Sequence, residues 1–149
     1  MSGWWDLKAA QVAWADEAGP LLRREVAGRA PQGKTGALRE SIYYRRQTKA
    51  ESVVVNIASN KLYAIFVTTG TRAHPIDPVA ASVLHFTGSG GGDVFATHVD
   101  HPGTKANPFA EEGWKARKDE VVQLFGRIAA REIGNGARAR VSGLFGRTA

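Results

Sequence analysis

The sequence predicts an α+β fold with an N-terminal amphipathic helix, a central antiparallel β-sheet bearing a long glycine-tipped hairpin arm, and a C-terminal helix packed on the sheet. Three observations support this prediction. Apolar residues recur at helical spacing near both ends of the chain, runs rich in β-formers occupy the middle, and a glycine-rich segment separates two of those runs. We predict a single domain over residues 1–133 and a flexible basic tail over residues 134–149.

The first helix is predicted from Trp4 to Ala30. Its apolar and small residues recur at steps of three and four, the spacing that lines one face of a helix. These residues are Leu7, Ala10, Trp14, Ala18, Leu21, Leu22 and Val26. Because Pro20 lacks the amide proton that the preceding turn would use, we expect a kink or a restart there.

The middle of the chain contains five runs that favour β-strands. They are Ser41–Thr48, Ser52–Ala58, Leu62–Val67, Val83–Phe86 and Val94–Val99. Only residues 49–51 separate the first two runs, which predicts a tight turn between neighbouring strands. The last two runs flank the glycine-rich segment Thr87–Asp93, which predicts a flexible hairpin tip.

The helical period returns after Asn107 and Pro108. Asn107 suits the N-cap and Pro108 the first helical position, and Glu111 and Glu112 complement the positive end of the helix dipole. The apolar stripe continues through Phe109, Trp114, Val121, Leu124, Phe125, Ile128 and Ile133. Gly134 and Gly136 are expected to end this helix, because glycine favours helix C-termini.

Composition narrows the classes of function. The formal net charge is +6 and the isoelectric point is about 10.0, which favours contact with nucleic acid or an acidic protein. The last sixteen residues hold Arg138, Arg140 and Arg147 and no acid, so these arginines are candidates for contact with DNA or a partner. No cysteine is present, which excludes disulfides and thiolate chemistry. No apolar run approaches the roughly 20 residues of a membrane span, so we expect a soluble, unprocessed chain with no membrane contact.

Four histidines could be read as a metal or nuclease site. His74, His85, His98 and His101 fall within 28 positions. However, two of them precede Pro102 in a predicted turn, and no glutamate stands at a metalloprotease spacing. The glycine-rich run lacks the Gly-Lys-Ser/Thr of a phosphate-binding loop, and no Gly-x-Ser-x-Gly nucleophile motif is present. We therefore predict no enzyme, no metal and no cofactor, with structural or interfacial histidines.

Five short phrases give the sequence its most specific signal. They are Thr35-Gly36 with Leu38, Ser41-Ile42, Tyr63 ahead of Gly70-Thr71, His101-Pro102-Gly103-Thr104, and Pro108-Phe109. Their order and spacing resemble the tail-component family of long-tailed bacteriophages, also called the tail-completion or head-to-tail joining family. The resemblance covers Ala30 to about Trp114. One departure is Thr68-Thr69, which stands where the family usually has an acid before the Gly-Thr pair.

The resemblance implies a structural virion protein that works by assembly. It implies a ring, six-fold in expectation, in the phage neck, built in the cytoplasm of the bacterial host. The implied partners are other copies of the chain, a connector or stopper ring, and a tail terminator or tail tube, with DNA passing through. The residues expected to form the assembly arm and its turns are Thr35, Gly36, Gly70, Thr71, His74, Gly90, His101, Pro102, Gly103 and Thr104.

Each Gly-Thr pair has a physical interpretation of its own. It joins a residue free to adopt positive φ to one whose hydroxyl can cap a backbone donor, which suits turns between strands. One alternative stays open at this point, namely a basic nucleic-acid-binding protein or a metal-dependent nuclease that uses the four histidines. Salt-dependent DNA binding with metal-dependent cleavage would support that alternative.

Overall fold

The computed structural model describes residues 3–88 and 90–145, without the side chains of residues 3–6, 137 and 139–145. The chain divides into two compact units. The terminal unit comprises the described residues of Met1–Leu62 and Phe109–Ala149, and the middle unit is Tyr63–Pro108. The predicted division into a domain over residues 1–133 and a basic tail stays a prediction.

The described elements alternate between helix and short strand, as expected for an α+β protein. In chain order they are α1 (Gly3–Arg29), α2 (Ala37–Glu40), β1 (Ile42–Thr48), β2 (Val53–Ser59), α3 (Ala64–Thr69), β3 (His74–Ile76), β4 (Leu84–Thr87), β5 (Asp93–Ala96), β6 (Val99–His101) and α4 (Phe109–Phe145). None of these helices is long and apolar enough to cross a membrane.

The apolar core lies in the terminal unit, where α1 and α4 pack along each other. Its buried side chains are Ala10, Ala15, Ala18, Leu22, Val26, Ala30, Leu38, Ile42, Phe109, Val121, Leu124 and Ile128. Trp14 joins the two helices, because its indole Nε1 donates to the Val121 carbonyl oxygen at 3.0 Å and its ring meets Phe125 edge-on. Each large aliphatic side chain buried here contributes about 1.5–3 kcal/mol.

The β1–β2 hairpin packs on α1 within the same unit. The two strands pair antiparallel from Ile42 opposite Ser59 to Thr48 opposite Val53, which confirms the predicted tight turn between them. Arg23 of α1 donates from Nε to the Ile42 carbonyl oxygen at 2.9 Å. The helix does not restart at Pro20, since its packing against both α4 and the hairpin offsets the missing hydrogen bond.

The structure corrects the expected strand at Leu62–Val67, where most of the run forms α3. The Thr68 hydroxyl donates to the Ala64 carbonyl oxygen and the Thr69 hydroxyl to that of Ile65, both at 2.8 Å. These bonds hold the threonines in a helical turn that ends at Gly70. A short apolar run cannot be assigned to helix or strand by periodicity alone.

The predicted α+β class with antiparallel strands is confirmed, but the described strands do not form one central sheet. The described strands form three two-stranded antiparallel sheets, β1–β2, β3–β6 and β4–β5. Strand β3 contains Pro75 and gave no sequence signal, because it exists only through its pairing with β6. The C-terminal helix packs on α1 rather than on a sheet.

Helix α4 passes through Gly134 and Gly136 and continues to Phe145, the last described residue, so the helix end predicted from these glycines is wrong. A glycine inside a helix costs about 1 kcal/mol relative to alanine. The residues that follow, Ala137 to Arg140, are alanines and arginines with high helix propensity. They favour continuation of the helix beyond the glycines.

Candidate assembly surfaces

Two Gly-Thr pairs, Gly70-Thr71 and Gly103-Thr104, lie side by side in the middle unit. The Thr71 amide donates to the Thr104 carbonyl oxygen at 2.9 Å, and the Thr104 amide donates to that of Thr71 at 3.0 Å. Both glycines have positive φ, 73° and 86°. A Cβ on either one would lie 2.4 Å from the carbonyl oxygen of the opposite threonine. This reciprocal contact, the Gly-Thr bridge, therefore requires glycine at both positions.

A pair of histidines extends the Gly-Thr bridge. His74 and His101 are opposite each other in the β3–β6 pairing, with imidazole centroids 5.0 Å apart. The Gly103 amide donates to His101 Nδ1 at 3.0 Å, whereas His74 Nδ1 lies 2.9 Å from the Arg72 carbonyl oxygen. These hydrogen bonds place the Nδ1 proton on His74 and leave Nδ1 of His101 unprotonated. Pro102, between His101 and Gly103, fixes φ in this turn.

The hydroxyl groups of Thr35 and Thr71, both from the predicted phrases, differ in their hydrogen bonding. In the terminal unit, Thr35 Oγ1 accepts from the Ala37 amide at 3.4 Å where α2 begins, and Gly36 has φ of 71°. In the middle unit, Thr71 is half-buried as a residue, but its Oγ1 atom is shielded from solvent. This atom has no hydrogen-bond partner among the described atoms. The expected capping role is observed at Thr35 and is wrong at Thr71. The predicted assembly residues are thus divided between the two units.

The Ser-Ile phrase has a structural explanation that the sequence did not reveal. The Ser41 hydroxyl is buried, donates to the Leu38 carbonyl oxygen at 2.7 Å and lies 2.7 Å from the Ser59 hydroxyl. The Lys61 amide donates to Ser59 Oγ at 3.1 Å. This chain of hydrogen bonds ties the end of α2 to the end of β2, and Ile42 beside it is only 1% exposed.

The predicted glycine-tipped arm is present as the β4–β5 hairpin. Its tip is closed by hydrogen bonds from the Gly88 amide to the Gly92 carbonyl oxygen at 2.8 Å and from the Gly91 amide to that of Gly88 at 2.9 Å. A Cβ on Gly90 would meet nothing within 4 Å, so the tip has open space around it. Mobility of the arm stays a prediction.

The two faces of the β4–β5 hairpin differ in chemistry, because residues directly opposite each other share a face. One face carries only apolar side chains, from the pairs Leu84–Ala96 and Phe86–Val94. On the other face, the His85 and Phe95 rings stack at 4.6 Å, and His85 Nε2 lies 3.1 Å from Asp93 Oδ1. Phe95 is 65% exposed, so both faces offer apolar surface.

Apolar exposure extends over the whole middle unit. None of its described residues is buried. The large apolar side chains exposed there are Tyr63, Ile65, Phe66, Val79, Val83, Phe86, Val94 and Phe95. Soluble monomers rarely leave large contiguous apolar surface in water, and such surface usually marks a site of protein–protein contact.

The terminal unit has an open apolar groove between α1, β2 and α4. One part is a cavity of about 310 Å³, with a floor formed by Trp14, Val53 and Val121. An adjoining cavity of about 420 Å³ follows β2 towards Ile57. Trp114 and Val122 of α4 stand on the rim, 47% and 66% exposed. The apolar groove was missed in the sequence, because the stripe that contains Trp114 indicates burial rather than a rim.

One ion pair links α1 to α4 beside this core. Glu25 receives hydrogen bonds from Arg117 Nε at 2.8 Å and from Arg29 Nε at 2.7 Å. Arg117, followed by Arg29, lowers the pKa of the Glu25 carboxyl, and its partial burial opposes this shift only in part. Since Glu25 and Arg117 come from the two ends of the chain, the pair holds those ends together.

The remaining histidine interactions are with carboxylates. His98 Nδ1 lies 2.7 Å from Asp77 Oδ1, and its Nε2 lies 3.2 Å from Asp100 Oδ1. The hydrogen bond to Asp77, and then that to Asp100, raises the pKa of His98. Among the side chains that the structure describes, no group of three or more His, Cys, Asp or Glu could hold a metal ion.

Two of the three arginines proposed for DNA or partner contact, Arg138 and Arg140, belong to α4. Arg138 is exposed there. Arg140 lies within α4, but its side chain is outside the described part of the chain, as is the whole of Arg147. Their contact with DNA or with another ring stays a prediction.

Comparison with protein families gives a match over the N-terminal part of the chain. Residues 5–70 match the family model described as "Bacteriophage HK97-gp10, putative tail-component". The match covers less than half of the chain and spans α1 to the end of α3, including the Thr35-Gly36 and Ser41-Ile42 phrases. It confirms the resemblance to a phage tail-component family as far as Gly70, whereas the phrases at His101–Thr104 and Pro108-Phe109 lie outside the match. No curated protein and no solved structure matches the chain.

Proposed function

From the match of residues 5–70 to a phage tail-component family, we propose that this chain is a neck subunit that joins heads to tails. It forms a ring, six-fold in expectation, between the connector and the tail tube of the virion. The observation that carries this proposal is the contrast in burial between the units. The middle unit exposes its large apolar side chains and has no buried described residue.

This contrast favours assembly for energetic reasons. Burial of apolar surface contributes about 25 cal/mol per Å², and an isolated two-stranded hairpin is only marginally stable in water. The middle unit contains two such pairs, β3–β6 and β4–β5. Contact with a neighbouring subunit would supply the apolar burial that these pairs lack. If that contact joins two different surfaces, repetition of it gives a closed ring when the rotation between neighbours closes, and an open filament when it does not.

The Gly-Thr bridge and the histidine pair have a role in this proposal. They fix the chain at Gly70 and Gly103, on either side of the segment that contains the arm. A fixed base lowers the entropy lost when the arm becomes ordered against a neighbour. The virion partners of the ring are a connector or stopper ring on one side and a tail terminator or tail tube on the other.

The basic end of α4 fits a ring through which DNA passes. Arg138 is exposed, and Arg140 and Arg147 follow it in the sequence. A few arginines per subunit give a diffuse positive field that attracts phosphates without sequence preference. Truncation after Ile133 tests this role in the phage. We expect joined particles with poor DNA retention or release, whereas normal infectivity would contradict it.

Ring formation is tested with one substitution made in each unit. Ile65 in α3 and Ile133 in α4 are 61% and 50% exposed, so glutamate at either position should leave the fold intact. We expect wild-type protein and Ile133→Glu to form rings, alone or with the neighbouring neck proteins, and Ile65→Glu to remain monomeric. Light scattering after gel filtration and negative-stain electron microscopy give the subunit number. A wild-type chain that stays monomeric in both settings contradicts the proposal.

A further inference from the structure

We infer that the apolar groove of the terminal unit is the docking site for the β4–β5 hairpin of a second copy of this chain. The inference rests on the proposed function and deepens it, because it names the two surfaces that meet in the ring. One subunit supplies the groove and its neighbour supplies the arm.

The apolar groove has the size and lining of a binding site. Its two parts, of about 310 and 420 Å³, fall within the range of roughly 300–1,000 Å³ that is usual for ligand pockets. The floor is apolar, and Trp114 stands half-exposed at the rim. A tryptophan beside an apolar cavity is the kind of residue that dominates binding energy at interfaces.

The β4–β5 hairpin has a surface that fits such a site. Phe86 and Val94 lie on its wholly apolar face, and Phe95, on the opposite face, is its most exposed aromatic ring. The glycine-rich tip that joins the strands carries little bulk, so it can enter a concave surface. Docking would bury side chains that the middle unit leaves in water.

Charge favours this occupant and sets its direction. Residues 73–104 contain three aspartates, and all twenty lysines and arginines of the chain lie outside this segment. Lysines flank the groove on two sides. Lys8 Nζ donates to the carbonyl oxygen of Ser52, a lining residue, at 3.3 Å, and Lys118 lies one turn from both Trp114 and Val122 on α4.

Charge complementarity of this kind selects partners and orientation more than it adds affinity. The β4–β5 hairpin carries Asp93 and neither lysine nor arginine, and it would meet a groove flanked by lysines, whereas two grooves would bring like charges together. The contact is therefore between different surfaces of two copies, a geometry that gives a ring when the rotation between neighbours closes. Lys49 and Glu51, in the turn before β2, offset each other and do not alter this balance.

Cysteine crosslinking tests the inference directly, because the chain has no cysteine of its own. Purified Val122→Cys protein is mixed with Phe95→Cys protein and oxidised with oxidised glutathione. A docked arm places the two thiols at an effective concentration on the order of millimolar, against micromolar for free subunits. We expect a disulfide-linked dimer with one chain of each kind, formed on the order of a thousandfold faster than in unassembled protein.

Two controls use cysteines outside the proposed contact. Ile133→Cys lies on the same helix as Val122, about 16 Å further along it, and Val79→Cys lies in the middle unit outside the hairpin. We expect no mixed disulfide between Ile133→Cys and Phe95→Cys proteins. We likewise expect none between Val122→Cys and Val79→Cys proteins. Equal crosslinking of Ile133→Cys or Val79→Cys would mean that the contact is unspecific and would overturn the inference.

The remaining outcomes separate this inference from the proposed function. Rings that form without the Val122–Phe95 crosslink overturn the docking site and leave the proposed function intact. A further variant carries both Val122→Cys and Phe95→Cys in one chain. A disulfide formed within monomers of this variant would show that the arm binds its own groove, and it would also overturn the inference. If no ring forms under any condition, both proposals fail.

Discussion

The two units of this protein are stabilised in different ways. The terminal unit contains every buried apolar side chain of the described residues, and its helices join through Trp14 and the Glu25–Arg117 pair. The middle unit is organised by backbone contacts at the Gly-Thr bridge and by ring contacts of its histidines. The apolar core and the candidate assembly surfaces with most exposed apolar side chains are therefore separate parts of one small chain.

The largest expected effect is a difference in the loss of stability when a leucine is replaced by alanine in each of the two units. Leu22→Ala removes a core side chain that is 6% exposed and should lower the free energy of unfolding by about 2–5 kcal/mol. Leu84→Ala removes a partly exposed side chain of β4 and should lower it by less than about 1 kcal/mol. Urea unfolding followed by circular dichroism measures both. Equal losses would contradict the contrast between the units.

The next effect concerns the Gly-Thr bridge. In Gly103→Ala the new Cβ would lie 2.4 Å from the Thr71 carbonyl oxygen, at a residue with φ of 86°. We expect a local cost of at least about 1–2 kcal/mol and faster amide exchange at Thr71 and Thr104. Gly90→Ala, where a Cβ meets nothing, is the matched control. Unchanged protection of both threonine amides in Gly103→Ala would show that the bridge is dispensable.

A smaller effect links the two ends of the chain. The pKa of Glu25 is lowered from 4.5, first by Arg117. The contribution of the ionised Glu25 carboxylate to stability is therefore fully present above about pH 4.5. It is lost as the pH falls through the lower pKa of the folded state. Arg117→Met should remove part of this dependence and lower the free energy of unfolding at pH 7. Unfolding curves of the two proteins from pH 7 to 3 test this, and parallel pH profiles would contradict it.

The smallest effect is at His98 in the middle unit. Its pKa is raised from 6.5, first by the Asp77 hydrogen bond and then by that of Asp100. The interaction is fully present below about pH 6.5 and weakens as the pH rises through the raised pKa. Asp77→Asn should shift the NMR titration of the His98 ring to lower pH, more than Asp100→Asn does. A larger shift in Asp100→Asn would reverse the assigned order of the two contacts.

The sequence predicted the parts of the fold that depend on local pattern. The helical spacing from Leu7 to Val26, the β1–β2 turn and the glycine-tipped hairpin are all observed. The errors have two causes, namely pairing between residues far apart in the sequence and side-chain hydrogen bonds that apolar periodicity does not reveal. Strand β3 depends on pairing with β6, and α3 replaces a strand because Thr68 and Thr69 bond back to their own helix.

The candidate surfaces were predictable to a different degree. Turn glycines such as Gly70 and Gly103 could be named, since Gly-Thr phrases carry a conformational signal. Their mutual contact could not be predicted, because it joins segments more than thirty residues apart in the chain. The apolar groove was invisible for the same reason. It is formed by three elements from both ends of the chain.

Amide hydrogen exchange on the free chain and on the assembled ring tests the contrast between the units most directly. In the free chain we expect the amides of β4 and β5 to exchange much faster than those of Val53–Ser59 in β2, because few buried contacts hold the hairpin. In the ring, the hairpin amides should become protected while those of β2 change little. A hairpin already as protected as β2 in the free chain would contradict the account, because the arm would then need no neighbour.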